Sequence, residues 1–186
     1  MNHENDALGN ALLLLARHAI AEELGVDYPI SAAAIEVAEL RQPGATFVTL
    51  TEDGELRGCI GTLEALRPLI EDVRANALAA AFLDSRFLPL TREEFDEVHV
   101  EVSLLAPAVP MTFSSEADAL RQLRPNIDGV ILESGHHRAT FLPQVWESLP
   151  EPKRFMAQLK YKAGLPQDYW NANLKLSRYE VKKWKE

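Results

Sequence analysis

Residues 45–63 read Ala-Thr-Phe-Val-Thr-Leu-Thr-Glu-Asp-Gly-Glu-Leu-Arg-Gly-Cys-Ile-Gly-Thr-Leu. The first part, from Ala45 to Leu50, is β-branched and aromatic, Asp53-Gly54 is a tight-turn signal, and Glu55 to Leu63 returns. The stretch is therefore expected to fold as a β-hairpin. Its second strand holds the single cysteine of the chain, Cys59, between Gly58 and Gly61, with Arg57 two positions upstream. Glycine inside a strand costs packing and backbone entropy, so two of them around one thiol call for a bulge or for close approach of another group. In a regular strand Leu56 and Ile60 face one way. Arg57 and Cys59 face the other way together, with Gly61 leaving open space beside them. A thiol sharing a face with a guanidinium has its thiolate favoured. A bulge at Gly58 or Gly61 would reverse the assignment.

Outward from the hairpin, helical spacing of Leu8, Leu12, Leu15, Ala16, Ala19 and Ile20 predicts a helix over 6–24, with Asp6 as N-cap and Gly25 closing it. Ser31 opens an Ala-rich stretch through Leu40 that reads as a second short helix. After the hairpin, Pro68 is placed at N1 of a helix reaching about Leu83, with Leu69, Ile70, Val73, Ala77 and Ala80 or Ala81 as its buried face. Thr91-Arg92-Glu93-Glu94 has the form of a helix-initiating cap. Residues 97–105 alternate as a strand, Val98, Val100, Val102 and Leu104 against His99, Glu101 and Ser103. The carboxylate of Glu101 is either solvated or aimed into a cleft. Ser114 or Ser115 caps a helix to about Leu123. A second hairpin spans 127–133 and 138–142, a helix runs from Pro152 to Ala163, and one bulged strand is expected over 174–184.

The length of 186 residues suits one domain, and the composition, 47% hydrophobic and 25% charged, is that of an ordinary soluble protein. Two hairpins with helices nearby, and strands that need not be parallel, suggest an α+β domain of two lobes, with a lobe boundary near 105–125. A net charge of −9 and a pI near 5.1 argue against nucleic-acid binding. The basic cluster Lys182, Lys183 and Lys185 reads as a solvated end. One cysteine excludes an intramolecular disulfide and multi-cysteine metal sites, and a lone thiol fits a reducing compartment, hence the cytoplasm. No signal peptide, membrane span, phosphate loop or metal-ligand spacing is read, and no cofactor is called for. His18 reads as a surface histidine, and the adjacent His136 and His137 as a turn pair pointing apart.

The residues resemble a known family. Leu-Arg-Gly-Cys-Ile-Gly-Thr (56–62), after a Phe-Val-Thr-Leu strand, is similar to the signature of the AMMECR domain family, whose bacterial members are known as AmmeMemoRadiSam system protein A. Asp84-Ser85-Arg86-Phe87 is similar to the family's Asp-x-Arg-Phe, Glu101-Val102-Ser103 to its Glu-Val-Ser strand, and Asp128-Gly129-Val130 to its Asp-Gly turn. Phe141-Leu142-Pro143-Gln144-Val145 and Lys162-Ala163-Gly164-Leu165 match two further blocks in order. The resemblance implies an α+β fold of two lobes with the signature strand lining a cleft between them. It also implies the company of a Memo-type protein and a radical S-adenosylmethionine protein, and it supplies no activity. Carried over by position, the cleft residues are Arg57, Gly58, Cys59, Gly61, Thr62, Asp84, Arg86 and Glu101.

Three readings follow. In the first, the chain is an accessory protein that binds a small anionic ligand or a protein partner. The signature glycines then admit the ligand to the backbone, and Arg57 and Arg86 read a carboxylate or phosphate. In the second, it is a small enzyme with Cys59 as nucleophile, Arg57 steadying the thiolate and Glu101 as base or orienting group. The missing partner there is a histidine, and only His99 shares a strand face with Glu101. In the third, Cys59 packs as a small hydrophobe and Arg57 pairs with Asp84 or Glu101.

Overall fold

The structure, a computed structural model, describes residues 7–186. The expected N-cap Asp6, and His3, lie outside them. In chain order the elements are α1 (Ala7–Leu24), β1 (Pro43–Gly44), β2 (Thr46–Glu52), β3 (Glu55–Gly61), β4 (Arg67–Pro68), α2 (Leu69–Phe82) and β5 (Val98–Leu105). There follow β6 (Val109–Pro110), α3 (Glu116–Gln122), β7 (Gly129–Ser134), β8 (His137–Phe141), α4 (Pro152–Lys162), β9 (Lys175–Tyr179) and β10 (Val181–Lys185). The fold is α+β. The chain divides into two compact units, one running to Leu105 and resuming at Lys182–Glu186, the other spanning Ala106–Val181.

In the first unit a four-stranded sheet has the order β10-β5-β2-β3, so β3, which carries the cysteine, is an edge strand. The β2–β3 hairpin forms as its turn signal requires: Asp53 and Gly54 both take positive φ, 50° and 81°, as a tight primed turn demands. One face of the sheet is apolar. Val48, Leu50, Val98, Val100 and Val102 are buried there against Leu12, Leu15 and Ile20 of α1 and Val73 and Ala77 of α2. Burying these aliphatic side chains is the main force holding α1 and α2 on the sheet.

The second unit is built on a sheet of order β6-β9-β7-β8. Val130, Leu132 and Leu176 pack with Phe155, Met156 and Leu159 of α4. Trp146 is fully buried, its ring stacked on Phe155 at 3.7 Å, and its indole N–H donates to the Asp128 carbonyl at 2.7 Å.

Two expectations change. The Ala-rich stretch is two 3-10 turns, Ala32–Ile35 and Ala38–Arg41, rather than one helix. Only Leu40 in it is buried, too little anchorage for a helix so short. The single closing strand is two strands, β9 and β10, in different sheets, with the change of sheet at Glu180. Lys182, Lys183 and Lys185 are exposed, as a solvated end requires, and they lie on β10, an edge strand, where lysines discourage unwanted pairing.

Candidate functional site

The site is built on β3. Across the hairpin Thr49 stands opposite Cys59 and Leu50 opposite Gly58, but Thr51 stands opposite Leu56. Arg57 is therefore an inserted residue, a β-bulge, and the alternation slips there. Cys59 and Leu56 share the face of Thr49 and Thr51, while Gly58 shares the face of Leu50, which is packed against α2. Arg57 has no partner across the hairpin, so strand alternation no longer carries it onto the face of Cys59, and Leu56 stands on that face at the next pair instead. The guanidinium of Arg57 instead makes a two-point ion pair with Glu94, Nε to Oε1 at 2.8 Å and Nη2 to Oε2 at 3.2 Å, and lies over the Phe87 ring. Those bonds, with one from the Thr91 backbone N–H, outweigh burial and hold the Glu94 carboxyl down at about 2. The Thr91 N–H to Glu94 bond is half of the capping box read in the sequence.

Neither signature glycine leaves space for a ligand. A Cβ on Gly58 would stand 2.1 Å from the carbonyl oxygen of Ala80, so Gly58 is what lets α2 lie directly on the strand. A Cβ on Gly61 would stand 2.2 Å from the ring of Phe47, its cross-strand neighbour. The open space expected beside Cys59 is filled by that aromatic ring.

Thr62 is held from below. Its hydroxyl bonds the Asp72 carboxylate at 2.8 Å and 2.9 Å. Asp72, only 1% exposed, also accepts from the backbone N–H and hydroxyl of Thr46, from Arg67 and from Asn76. This buried network ties β2, the end of β3 and α2 together. Asp72 and Asn76 were not singled out from the sequence, and Glu94 was read only as part of a cap. The legible sign was the i, i+4 pair Asp72 and Asn76 immediately beside the apolar positions Val73 and Ala77.

Asp84 and Arg86 act on the open edge of β3. The Cys59 backbone N–H donates to Asp84 Oδ2 at 2.9 Å, and Arg86 Nη2 reaches the Cys59 carbonyl at 3.4 Å. The two side chains bond each other at two points, Nε to Oδ1 at 2.9 Å and Nη2 to Oδ2 at 2.7 Å. The Arg86 bond above all, then the Cys59 and Arg86 backbone N–H groups, hold the Asp84 carboxyl well below the usual carboxylate range despite its burial. Asp84 in turn raises the guanidinium of Arg86, with a smaller electrostatic contribution from Cys59. Each of the two guanidinium groups expected to read an anion carries a carboxylate of this chain, Arg57 that of Glu94 and Arg86 that of Asp84, and Arg57 Nη1 is buried without a partner.

The polar groups that remain lie on the sheet face turned away from α1 and α2. Thr49 stands opposite both Cys59 on β3 and Glu101 on β5, so the three side chains form one cross-strand row. The Thr49 hydroxyl donates to Cys59 Sγ at 3.2 Å, and Glu101 is paired with Lys183 at 3.4 Å. The thiol is half-buried. His99 stands opposite Thr51, one ladder step along and two strands across from Cys59, a separation of roughly 10 Å or more. Among the described residues no group of three His, Cys, Asp or Glu is arranged to hold a metal ion. No described helix is long and apolar enough to cross a membrane.

A family model described as AMMECR1 matches residues 13–184. A protein of Methanothermobacter thermautotrophicus is 36% identical over 179 residues, 93% of this chain and 91% of its own length. A protein of Methanocaldococcus jannaschii is 40% identical over 140 residues, 72% of this chain and 68% of its own length. The crystal structure of an uncharacterized protein from Pyrococcus horikoshii superimposes with a TM-score of 0.84 at 34% identity, covering 96% of this chain and 91% of that one. With the signature hairpin, the capped strand edge and the α+β units in place, the chain belongs to the AMMECR1 family.

Proposed function

We propose that the chain is a cytoplasmic accessory protein that docks a protein partner on the surface around β3. One observation carries this reading. Leu56, Leu66, Leu83 and Leu88 are all exposed, the last three to 82%, 74% and 84%; Leu56 lies on β3 itself, Leu66 follows it, and Leu83 and Leu88 flank Asp84 and Arg86, which bond its edge at Cys59. Large apolar side chains held in water mark interaction surfaces. Meanwhile Arg57 and Arg86 each hold a carboxylate, and Thr62 and Asp84 are bonded within the unit, while Arg57 Nη1 is buried without a hydrogen-bond partner. The family resemblance supplies the partners to try, a Memo-type protein and a radical S-adenosylmethionine protein, to which the chemistry would belong. The half-buried lone thiol is consistent with a reducing cytoplasm. Calorimetric titration with each protein tests the reading. Leu83→Asp and Leu88→Asp are expected to weaken binding about tenfold or more, as truncated interface anchors do, with the thermal midpoint unchanged. Absence of binding by either protein sinks it.

The second reading keeps Cys59 as a nucleophile. The hydroxyl of Thr49 donating to Sγ favours it, because such a donor supports a thiolate. Glu101 in the same row would be the base, with Thr49 between them.

A further inference from the structure

The sheet of the first unit has two edges, and they are protected differently. On β10 the protection is permanent, with Lys182, Lys183 and Lys185 on the strand itself. The strand β3 carries no lysine. Its protection at Cys59 comes from outside, from two side chains that supply what a neighbouring strand would supply. Asp84 is the acceptor for the Cys59 N–H, and Arg86 is a donor to the Cys59 carbonyl. Antiparallel alternation turns the backbone groups of Gly61 to the same side as those of Cys59, since Thr62 N–H bonds inward to the Thr46 carbonyl. The donor half of this cap is loosely held: the Arg86 bond to the carbonyl is 3.4 Å long and the Arg86 side chain is 54% exposed. Leu83 and Leu88 flank the two capping residues and stand in water, where they would meet alternate side chains of an incoming strand.

We propose that the outer edge of β3 accepts an extended, apolar segment of a protein partner as an added strand, and that the Asp84–Arg86 pair is the gate it displaces. This rests on the partner-docking reading and names the form the partner takes. It also predicts a sign that ordinary side-chain docking does not. If Asp84 and Arg86 were contacts, removing them would weaken binding. As a gate that competes for the same backbone groups, their removal strengthens it.

The test uses the full chain and a fluorescently labelled peptide with the sequence of β2, Thr-Phe-Val-Thr-Leu-Thr-Glu, a strand already known to pair antiparallel with β3. Anisotropy is followed for wild type and for Asp84→Ala/Arg86→Ala, with amide exchange at Cys59 and Gly61 read by NMR. The doubly substituted chain is expected to bind about tenfold tighter, the scale of losing one charge-assisted competitor, with both amides protected in the complex. Unchanged or weaker binding, or protection elsewhere, overturns the proposal. Should the double variant unfold, Asp84→Asn with Arg86 intact reads the same sign at smaller amplitude. Failure of the partner reading would instead appear as absent binding of the Memo-type and radical S-adenosylmethionine proteins to wild type, a result independent of the peptide's affinity.

Discussion

The carboxylate of Asp84 accepts the backbone N–H of Cys59 at 2.9 Å, twenty-five residues away along the chain. The residue that looks catalytic is thereby held through its backbone, and its side chain is left to the opposite face from α2. Removing Asp84 should therefore loosen β3 without touching Sγ. In Asp84→Ala the Cys59 amide loses its partner while Arg86 loses its counter-charge. A destabilisation of about 2–4 kcal/mol is expected, read as a shift of the urea midpoint.

Acid should find the same devices. Glu94 ordinarily titrates near 4.5 and is held at about 2 chiefly by Arg57, and Asp84 is likewise depressed. A carboxyl whose folded value lies below its unfolded one stabilises the fold fully above the unfolded value. That stability is lost as pH falls toward the folded one. Stability is therefore expected to decline from about pH 4.5 toward pH 2, and Glu94→Gln should flatten part of that decline in a series of urea titrations across the range. An unchanged slope would remove the Arg57–Glu94 pair from the account.

The two signature glycines should separate in behaviour. Gly58→Ala places a methyl 2.1 Å from a helix backbone oxygen, which moves only if α2 moves. A loss of roughly 2–3 kcal/mol is expected. Gly61→Ala meets the ring of Phe47, a side chain that can be shortened. Phe47→Leu in the same chain should recover part of the Gly61→Ala loss, a coupling visible in a double-mutant cycle.

The hairpin, α1, α2, β5 and the α+β class were legible because each rests on local signals: Asp53-Gly54 for the turn, alternating valines for β5, spaced leucines for α1. The face of Arg57 was not legible. One inserted residue breaks the alternation there, and although Gly58 offers a bulge signal, nothing in Leu-Arg-Gly-Cys-Ile says whether the extra residue is taken up. The roles of Gly58 and Gly61 depended on Ala80 and Phe47, neighbours fixed only by tertiary packing. Asp84 and Arg86 were found through their sequence block, but their target, the strand edge at Cys59, is a long-range hydrogen bond without a sequence period. Asp72 was passed over because a carboxylate in the first turn of a helix is ordinary; here it is buried and receives five different groups.

That buried carboxylate makes the sharpest stability test. Asp72→Ala would leave the Thr46 N–H and hydroxyl and the Thr62 hydroxyl without their acceptor, and Arg67 without its counter-charge. A cost of about 3–5 kcal/mol is expected. Asp72→Asn should cost less, since it keeps one acceptor oxygen. Denaturant unfolding of the pair checks the order.

Cys59 alkylation distinguishes the side chains around the thiol. Arg57 is engaged by Glu94 and Sγ by Thr49, so Arg57→Met should leave the alkylation rate of the folded protein within about twofold of wild type. Thr49 donates its hydroxyl to Sγ, so Thr49→Val, which keeps the shape and deletes the donor, should slow the reaction several-fold at neutral pH. Glu101→Gln removes a negative charge from the same row and should speed it, since a carboxylate opposes a thiolate nearby. A rate that falls with Arg57→Met and ignores Thr49→Val would restore the guanidinium as the thiol's partner and show that the bulge does not hold in solution.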